Sequence, residues 1–314
     1  MADILFVKTS SLGDVIHHMP ALSEARRHLP QARYSWVVEQ QFAPLVRLHP
    51  AVDEVIPVAS RQWRRAPLAR ATWREIAIFS RVLRARRYDE IIDTQGLLRS
   101  AIIARHARGR RHGYDRRSVR ESPAAALYDV RHAVAREPHA IDRNRLLTGL
   151  ALGYAPDTAA DFGLVRATLA RPGDYGVLFH GTARREKEWP LELWVGLARE
   201  LRGRGVPLVV PWGTPAEKRR SDAIAAAVAG VRVPDRVPLD VMARLVAGAA
   251  FVVGVDTGLM HLAAALGVPL AAIFLTSKPD LTGPMGPGPI AVVDGRVRPP
   301  TVRAVLDALE RVRG

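Results

Sequence analysis

A chain of 314 residues is longer than one hydrophobic core usually organises, so two domains are expected. Its 48% hydrophobic content suffices for two cores, and the absence of cysteine excludes disulfides, thiolate metal sites and cysteine nucleophiles and fits a cytosolic setting. The net charge of +15 is unevenly spread. Residues 1–155 hold 26 Lys+Arg against 15 Asp+Glu, and residues 61–120 alone hold 17 Arg against 5 acids. Such a surplus calls for an anionic partner: nucleic acid, anionic lipid, or a glycan bearing carboxylates and phosphates. With only four lysines in the chain, arginine is also simply its ordinary surface cation.

The first residues carry an acid at Asp3 and a short apolar run, which predicts a strand over residues 4–7 rather than a signal peptide. A helix follows over residues 14–29, with Val15, Met19, Leu22 and Ala25 at helical spacing and Pro30 as its stop. Strands are predicted at 34–38, 55–58 and 90–93, with a helix at 73–83 between the last two. After a Pro/Gly/Asp-rich join at 153–173 the pattern restarts. Strands fall at 175–179, 207–211, 251–255 and 270–275, and helices at 191–202, 221–228, 259–266 and 301–312. Strands alternating with helices predict parallel sheets covered on both faces, hence two doubly wound α/β halves with a ligand cleft between them at the carboxyl ends of the strands. The longest charge-free run, residues 262–277, is broken by Gly267 and Pro269 and is too short to cross a bilayer of roughly 30 Å, so the chain is expected to be soluble or peripheral.

Four segments carry groups suited to chemistry. Lys8-Thr-Ser-Ser-Leu-Gly-Asp14 joins a strand to a helix, where backbone N–H groups attract anions and Asp14 is offered to the crevice. It has neither the dinucleotide nor the P-loop glycine pattern. Asp, Ser and Thr are also ordinary helix caps, so spacing leaves both roles open. His180-Gly-Thr-Ala-Arg-Arg-Glu-Lys187 follows another strand, and Lys187 suits a diphosphate as a mobile point charge, or is a solvated loop lysine. Glu217, past the strand ending at Pro211, can accept two ribose hydroxyls or complement a helix dipole. Asp256-Thr-Gly-Leu-Met-His261 runs from a strand into a helix of small residues, with Gly258 permitting close approach of an anion; Asp256 is equally a helix cap and His261 a structural residue. His17 and His18 face different directions, and no metal set emerges.

Taken together and in this order, these segments, with Asp93-Thr-Gln-Gly-Leu97, Lys187-Glu-Trp-Pro190 and Pro211-Trp-Gly213, resemble the lipopolysaccharide heptosyltransferases of glycosyltransferase family 9 over nearly the whole chain. The opening loop and Arg61-Gln-Trp-Arg-Arg65 look like the type I branch rather than type II. The resemblance implies the GT-B fold, two Rossmann-like domains facing across a cleft: residues 1–155 for the acceptor and 156–314 for the ADP-sugar, with a terminal helix able to pack back on the first domain. It implies inverting transfer of L-glycero-D-manno-heptose from ADP-heptose to the first Kdo of Kdo2-lipid A, with no metal or other cofactor required. By the same likeness Asp14 is the general base. Thr182, Lys187, Glu217, Asp256, Thr257, Gly258 and His261 are donor-binding, and Ser10, Gly13, Arg61, Arg64, Arg65 and Arg120 are acceptor-binding. Gln62 departs from an expected basic residue, and Ala183 stands where a second Thr or Ser is common.

The arginine-rich stretch then answers to Kdo carboxylates and lipid A phosphates at the cytoplasmic face of the inner membrane, with the protein peripheral and monomeric. Three other readings compete. A type II enzyme would add heptose to an already heptosylated core. A nucleic-acid-binding protein would explain the charge but should interleave stacking aromatics, which at 6% are too few, so no nucleic-acid partner is expected. A nucleotide-dependent oxidoreductase would need the missing fingerprint glycines.

Overall fold

The computed structural model describes residues 1–182 and 184–314, which form two compact units, Met1–Gly163 and Leu164–Gly314. The boundary lies eight residues beyond the one expected, because residues 157 and 158 are tied to the first unit. Arg145 donates to the Thr158 carbonyl at 2.6 Å, the Asp157 N–H donates to Glu24 at 3.2 Å, and Arg27 grips the Asp157 carboxylate.

The first unit runs β1 (Asp3–Val7), α1 (Leu12–Ile16), α2 (Met19–His28), β2 (Arg33–Glu39), α3 (Ala43–Val46), β3 (Glu54–Val58), α4 (Ser60–Arg65), α5 (Arg70–Arg84), β4 (Arg87–Asp93), α6 (Leu98–His106), β5 (Arg108–Tyr114), β6 (Val130–His132) and α7 (Ala140–Leu152). Its strands are parallel in the order β3-β2-β1-β4-β5-β6. The second unit runs α8 (Arg166–Leu169), β7 (Gly176–Phe179), α9 (Leu191–Gly203), β8 (Leu208–Val209), α10 (Pro215–Ala227), β9 (Val231–Arg232), α11 (Leu239–Gly248), β10 (Phe251–Val255), α12 (Gly258–Ala265), β11 (Leu270–Phe274), α13 (Pro279–Thr282), β12 (Ile290–Asp294) and α14 (Val302–Arg313). Its strands repeat the same winding, β12-β11-β10-β7-β8-β9. The terminal helix α14 packs on β11, β12 and α9 of its own unit.

Each sheet reverses direction once, at β1/β4 and at β7/β10. The loops leaving those neighbouring strands turn to opposite sides and open a crevice at the carboxyl ends. The register Val7↔Asp93 sets Lys8 beside Thr94 at the first of these points, and Gly254↔Phe179 does the equivalent at the second. Apolar side chains of both sheets, Leu5, Val7, Val37 and Ile91 in one and Leu178, Val253, Val255 and Ile273 in the other, lie in the cores under the helices.

The helix expected over residues 14–29 is two helices. Pro20 has no N–H for the Ile16 carbonyl and its ring crowds that turn, so the chain breaks at His17–His18 and the His18 N–H reaches Val15 at 3.1 Å instead. Strand β5, Arg-Gly-Arg-Arg-His-Gly-Tyr, escapes a hydropathy reading because only its last three residues are buried. Its Gly113 leaves room for the Tyr128 ring, which a Cβ would meet at 2.3 Å.

Burial lowers His49 and His180 to about 4, so both are neutral in the folded protein at pH 7. The unfolded chain takes up these protons first, near 6.5, so stability is lost as pH falls from 6.5 towards 4, by on the order of 3 kcal/mol per histidine across that window. Thermal melts between pH 7 and pH 5 should show a falling Tm. His180→Gln, which keeps a partner for Ser221, should flatten that slope; an unchanged slope would contradict the assignment.

Candidate active site

The loop leaving β1 is fixed from the neighbouring strand. The Gln95 side-chain carbonyl accepts the Thr9 and Ser10 N–H groups, each at 3.1 Å. Gln95 is held in turn by Asp93, which is fully buried at the end of β4. Asp93 accepts four bonds: the N–H groups of Gln95 (2.9 Å) and Gly96 (3.1 Å), and the hydroxyls of Ser100 and Tyr128 (2.8 Å each). Burial pushes the Asp93 carboxyl up, and these donors oppose it. Arg99 donates to the Ser10 hydroxyl at 2.6 Å. The loop thus has little freedom, and it delivers Ser11 as the cap of α1 with Asp14 in the first turn. The Ser10–Ser11 peptide is cis.

Asp14 accepts the Ser11 N–H at 2.8 Å and the Ser11 hydroxyl at 3.1 Å through one oxygen, while its other oxygen lies 3.4 Å from Arg120. Burial alone would raise its carboxyl, but Lys8, Arg120 and the two bonds from Ser11 outweigh that and hold it below its usual value. Lys8 is itself buried, donating to the Thr94 carbonyl at 2.8 Å and to Asn144 at 3.3 Å. Burial brings it down to about 8 against the opposing pull of Asp14. Asp14 is therefore an ionised cap with one edge open to a partner. The capping and chemical readings of this residue are compatible.

In the second unit the corresponding point is built around Asp256, at the end of β10. One carboxylate oxygen accepts from Lys187 at 2.6 Å and from the Ser277 hydroxyl, and the Asp256 carbonyl accepts from Thr182 at 3.0 Å. Thr257 caps α12 in extended conformation, and Gly258 is its first residue, so the free N–H groups of that helix open beside Lys187. Glu217 is the third residue of α10. Its carboxylate accepts the Gly213 N–H at 2.7 Å and the Thr214 N–H at 3.0 Å, while Thr214 caps Glu217 in return. Gly181 lies against it, where a Cβ would meet the Glu217 carboxyl carbon at 2.6 Å. His261 is buried in the first turns of α12.

The structure thus gathers Lys8, Ser10, Gly13, Asp14 and Arg120 at one switch point, and Thr182, Lys187, Asp256, Thr257 and Gly258 at the other. Arg61, Arg64 and Arg65 are exposed on α4, and Gln62 beside them is exposed too. Ala183 lies outside the described residues. Glu217 is engaged as a helix cap. Gln95, Arg99 and Ser277 are contributors that spacing does not reveal: Gln95 lies in the Asp93–Leu97 motif without an evident role, and Ser277 ends an apolar run. Among the described residues, Glu24, His28 and Asp157 could gather around an ion. Arg145 and Arg27 occupy those carboxylates, two of the three residues lying on α2 and Asp157 beyond α7. No described helix is long and apolar enough to cross a membrane.

Neither switch point carries a dinucleotide fingerprint. The first unit offers an ionised carboxylate at its switch point, and the second a lysine beside a helix N-terminus that suits a diphosphate; both are group types found in nucleotide-sugar glycosyltransferases. The chain belongs to glycosyltransferase family 9 (heptosyltransferase), whose sequence model matches residues 76–305. It is 41% identical over 289 residues to lipopolysaccharide heptosyltransferase 1 of Escherichia coli K12, covering 90% of this chain and 91% of that protein. With the Pseudomonas aeruginosa lipopolysaccharide heptosyltransferase 1 it shares 44% over 292 residues, covering 90% and 81%. Among solved structures it is similar to E. coli heptosyltransferase WaaC with ADP, at a TM-score of 0.93 and 39% identity over 98% of this chain and 99% of that one. The GT-B class and the glycosyltransferase activity expected from the sequence are borne out.

Replacing Asp93 with Asn would turn an acceptor-only group into one that also presents donors to four donors. We expect Asp93→Asn to destabilise the first unit by about 2–4 kcal/mol, read as a lower urea midpoint at unchanged m-value; a midpoint within error of the parent would show that the buried network is not built as described.

Proposed function

We propose that the protein transfers L-glycero-D-manno-heptose from ADP-heptose to the first Kdo of Kdo2-lipid A, with inversion at the anomeric carbon and without a metal or other cofactor. The observation that carries this reading is Asp14: an ionised carboxylate, pinned in the first turn of α1 at a switch point, with one edge facing an arginine. The identity shared with proteins named lipopolysaccharide heptosyltransferase 1 supports the choice of sugar and core position. That the similar WaaC structure is one with ADP supports an ADP-linked donor.

In this reading the attacking Kdo hydroxyl gives its proton to Asp14 as its oxygen bonds to the anomeric carbon, while the bond to the ADP oxygen breaks on the opposite face. A carboxylate held below its usual value is a weak base towards a resting alcohol. It becomes competent as the hydroxyl acidifies in an oxocarbenium-like transition state. Arg120 reaches Asp14 at a long 3.4 Å and is half-exposed, so an acceptor carboxylate can draw it away and restore basicity when the acceptor is in place. Lys187 has three donors, enough to keep Asp256 and also meet the β-phosphate, and the α12 N-terminus adds uncharged donors to the departing diphosphate. Thr182, Thr257, Gly258 and His261 line the donor side, and the free edge of Glu217 takes the ribose. Ser10, Gly13, Arg61, Arg64 and Arg65 serve the acceptor. The protein acts as a monomer, peripheral on the cytoplasmic face of the inner membrane.

The test is ADP release with ADP-heptose and either Kdo2-lipid A or an already heptosylated core. Turnover confined to the heptosylated core would assign the type II reaction. Asp14→Ala should lose about 10²–10⁴-fold in kcat and still bind ADP-heptose; near-parental turnover would remove Asp14 from the chemistry. Lys187→Ala should weaken ADP binding by about tenfold or more by calorimetry, with the Asp14 variant unaffected in the same measurement.

A further inference from the structure

Helix α5 presents an outward face that combines arginines with exposed apolar side chains. Thr72, Phe79 and Leu83 are its buried residues, and Trp63 of α4 is clamped to it, donating to Glu75 at 2.9 Å and packing edge-on against Phe79 at 5.6 Å. At 100° per residue the opposite stripe is Arg70, Arg74, Ala77 and Arg81, flanked by Trp73 and Arg84 on one side and Ile78 on the other. All of these are exposed, Trp73 at 62% and Ile78 at 50%, and Leu68 in the preceding turn stands out at 93%. Between residues 61 and 87 there are nine arginines and one acid, Glu75, which Trp63 occupies. Among the described residues none of Arg70, Arg74, Arg81 and Arg84 is ion-paired.

We propose that this face of α4 and α5 docks the protein on a bilayer surface rich in anionic headgroups, its arginines among the lipid phosphates and Leu68, Trp73 and Ile78 in the boundary beneath them. The charge complements such a surface, and unpaired guanidiniums bind phosphate bidentately. The protruding apolar side chains select lipid over nucleic acid. Leu68 and Ile78 can neither stack on a base nor hydrogen-bond, Trp73 is the one exposed aromatic there, and the face is a convex helix rather than a groove that would track a strand. The surface is also continuous with the acceptor end of the first unit. α4 starts at the carboxyl end of β3, the edge from which the Asp14 loop leaves β1, and Arg61 and Arg64 lie close enough to Arg99, which holds Ser10, to act on it electrostatically. The inference rests on the proposed function only in taking the lipid to be the one that carries the acceptor.

Co-sedimentation with vesicles of phosphatidylglycerol and phosphatidylcholine, against phosphatidylcholine alone, tests it without any sugar substrate. The intact protein should bind the anionic vesicles only, and less at high salt. Replacing Arg70, Arg74, Arg81 and Arg84 together by Gln should cost a hundredfold or more in partition, from about fivefold per arginine. Trp73→Ser with Ile78→Ser should cost about tenfold and abolish quenching of tryptophan fluorescence by lipids brominated on their acyl chains. Both variants should keep the parental Tm and turnover on an acceptor stripped of its acyl chains, since neither touches the Asp14 loop, the α4 arginines or Lys187. Parental vesicle binding by the variants would overturn the inference, as would tighter, salt-matched binding of single-stranded oligonucleotide through the same arginines. Vesicle binding that behaves as expected, with no transfer to any Kdo acceptor, would overturn the proposed function and leave this surface standing.

Discussion

The carboxamide of Gln95 takes the N–H groups of both Thr9 and Ser10, and the path of the chain from β1 into α1 follows from those two bonds. Without them two buried donors would lack partners and the turn that presents Asp14 would have no fixed route. Gln95 can do this because Asp93, buried beneath it, organises residues 95 and 96 through their own N–H groups and is itself satisfied by Ser100 and Tyr128. A buried carboxylate with four donors is costly to assemble and costly to disturb, which confers rigidity on the loop that holds Asp14 near Lys8 and Arg120.

That arrangement is a carboxylate between two cations of different character. Lys8 is buried and bound to neutral oxygens, so burial brings it close to losing its proton; Arg120 is half-exposed, always charged and free to move. The first supplies a fixed field that keeps Asp14 ionised, the second an adjustable one. In the second unit the roles are reversed: the carboxylate of Asp256 is structural, and it holds Lys187 and Ser277 in place with a helix N-terminus alongside. The same winding of strands, repeated, thus carries an ionised carboxylate in one unit and an array of hydrogen-bond donors in the other.

The surplus of arginine divides along similar lines. Arg99 and Arg120 are engaged with the Asp14 loop, Arg27 and Arg145 staple residues 157–158 to the first unit, and Arg111 pairs with Asp129. Among the described residues those on the outer face of α5 have no such partner, and they stand among exposed apolar side chains. Net charge alone does not separate these groups; only their partners do.

Much of this was legible in the sequence. Alternating apolar runs and helical spacing fix a two-part α/β chain, since buried parallel strands need continuous hydrophobic stretches, and the ordered motifs point to family 9 and to Asp14, Lys187 and Asp256. Two strands were not legible: β5 has three arginines in seven residues and β9 is two residues long, so neither leaves a hydropathy trace. Nor was the break between α1 and α2, which Pro20 forces four residues after Ile16. The sequence by itself determined which residue types stand at the ends of which strands, because period and turn chemistry are local. What tertiary structure alone decided is which of them meet. Gln95 reaches Thr9, Arg120 reaches Asp14 and Ser277 reaches Asp256 across 86, 106 and 21 residues, because parallel pairing brings together strand ends that no local pattern relates.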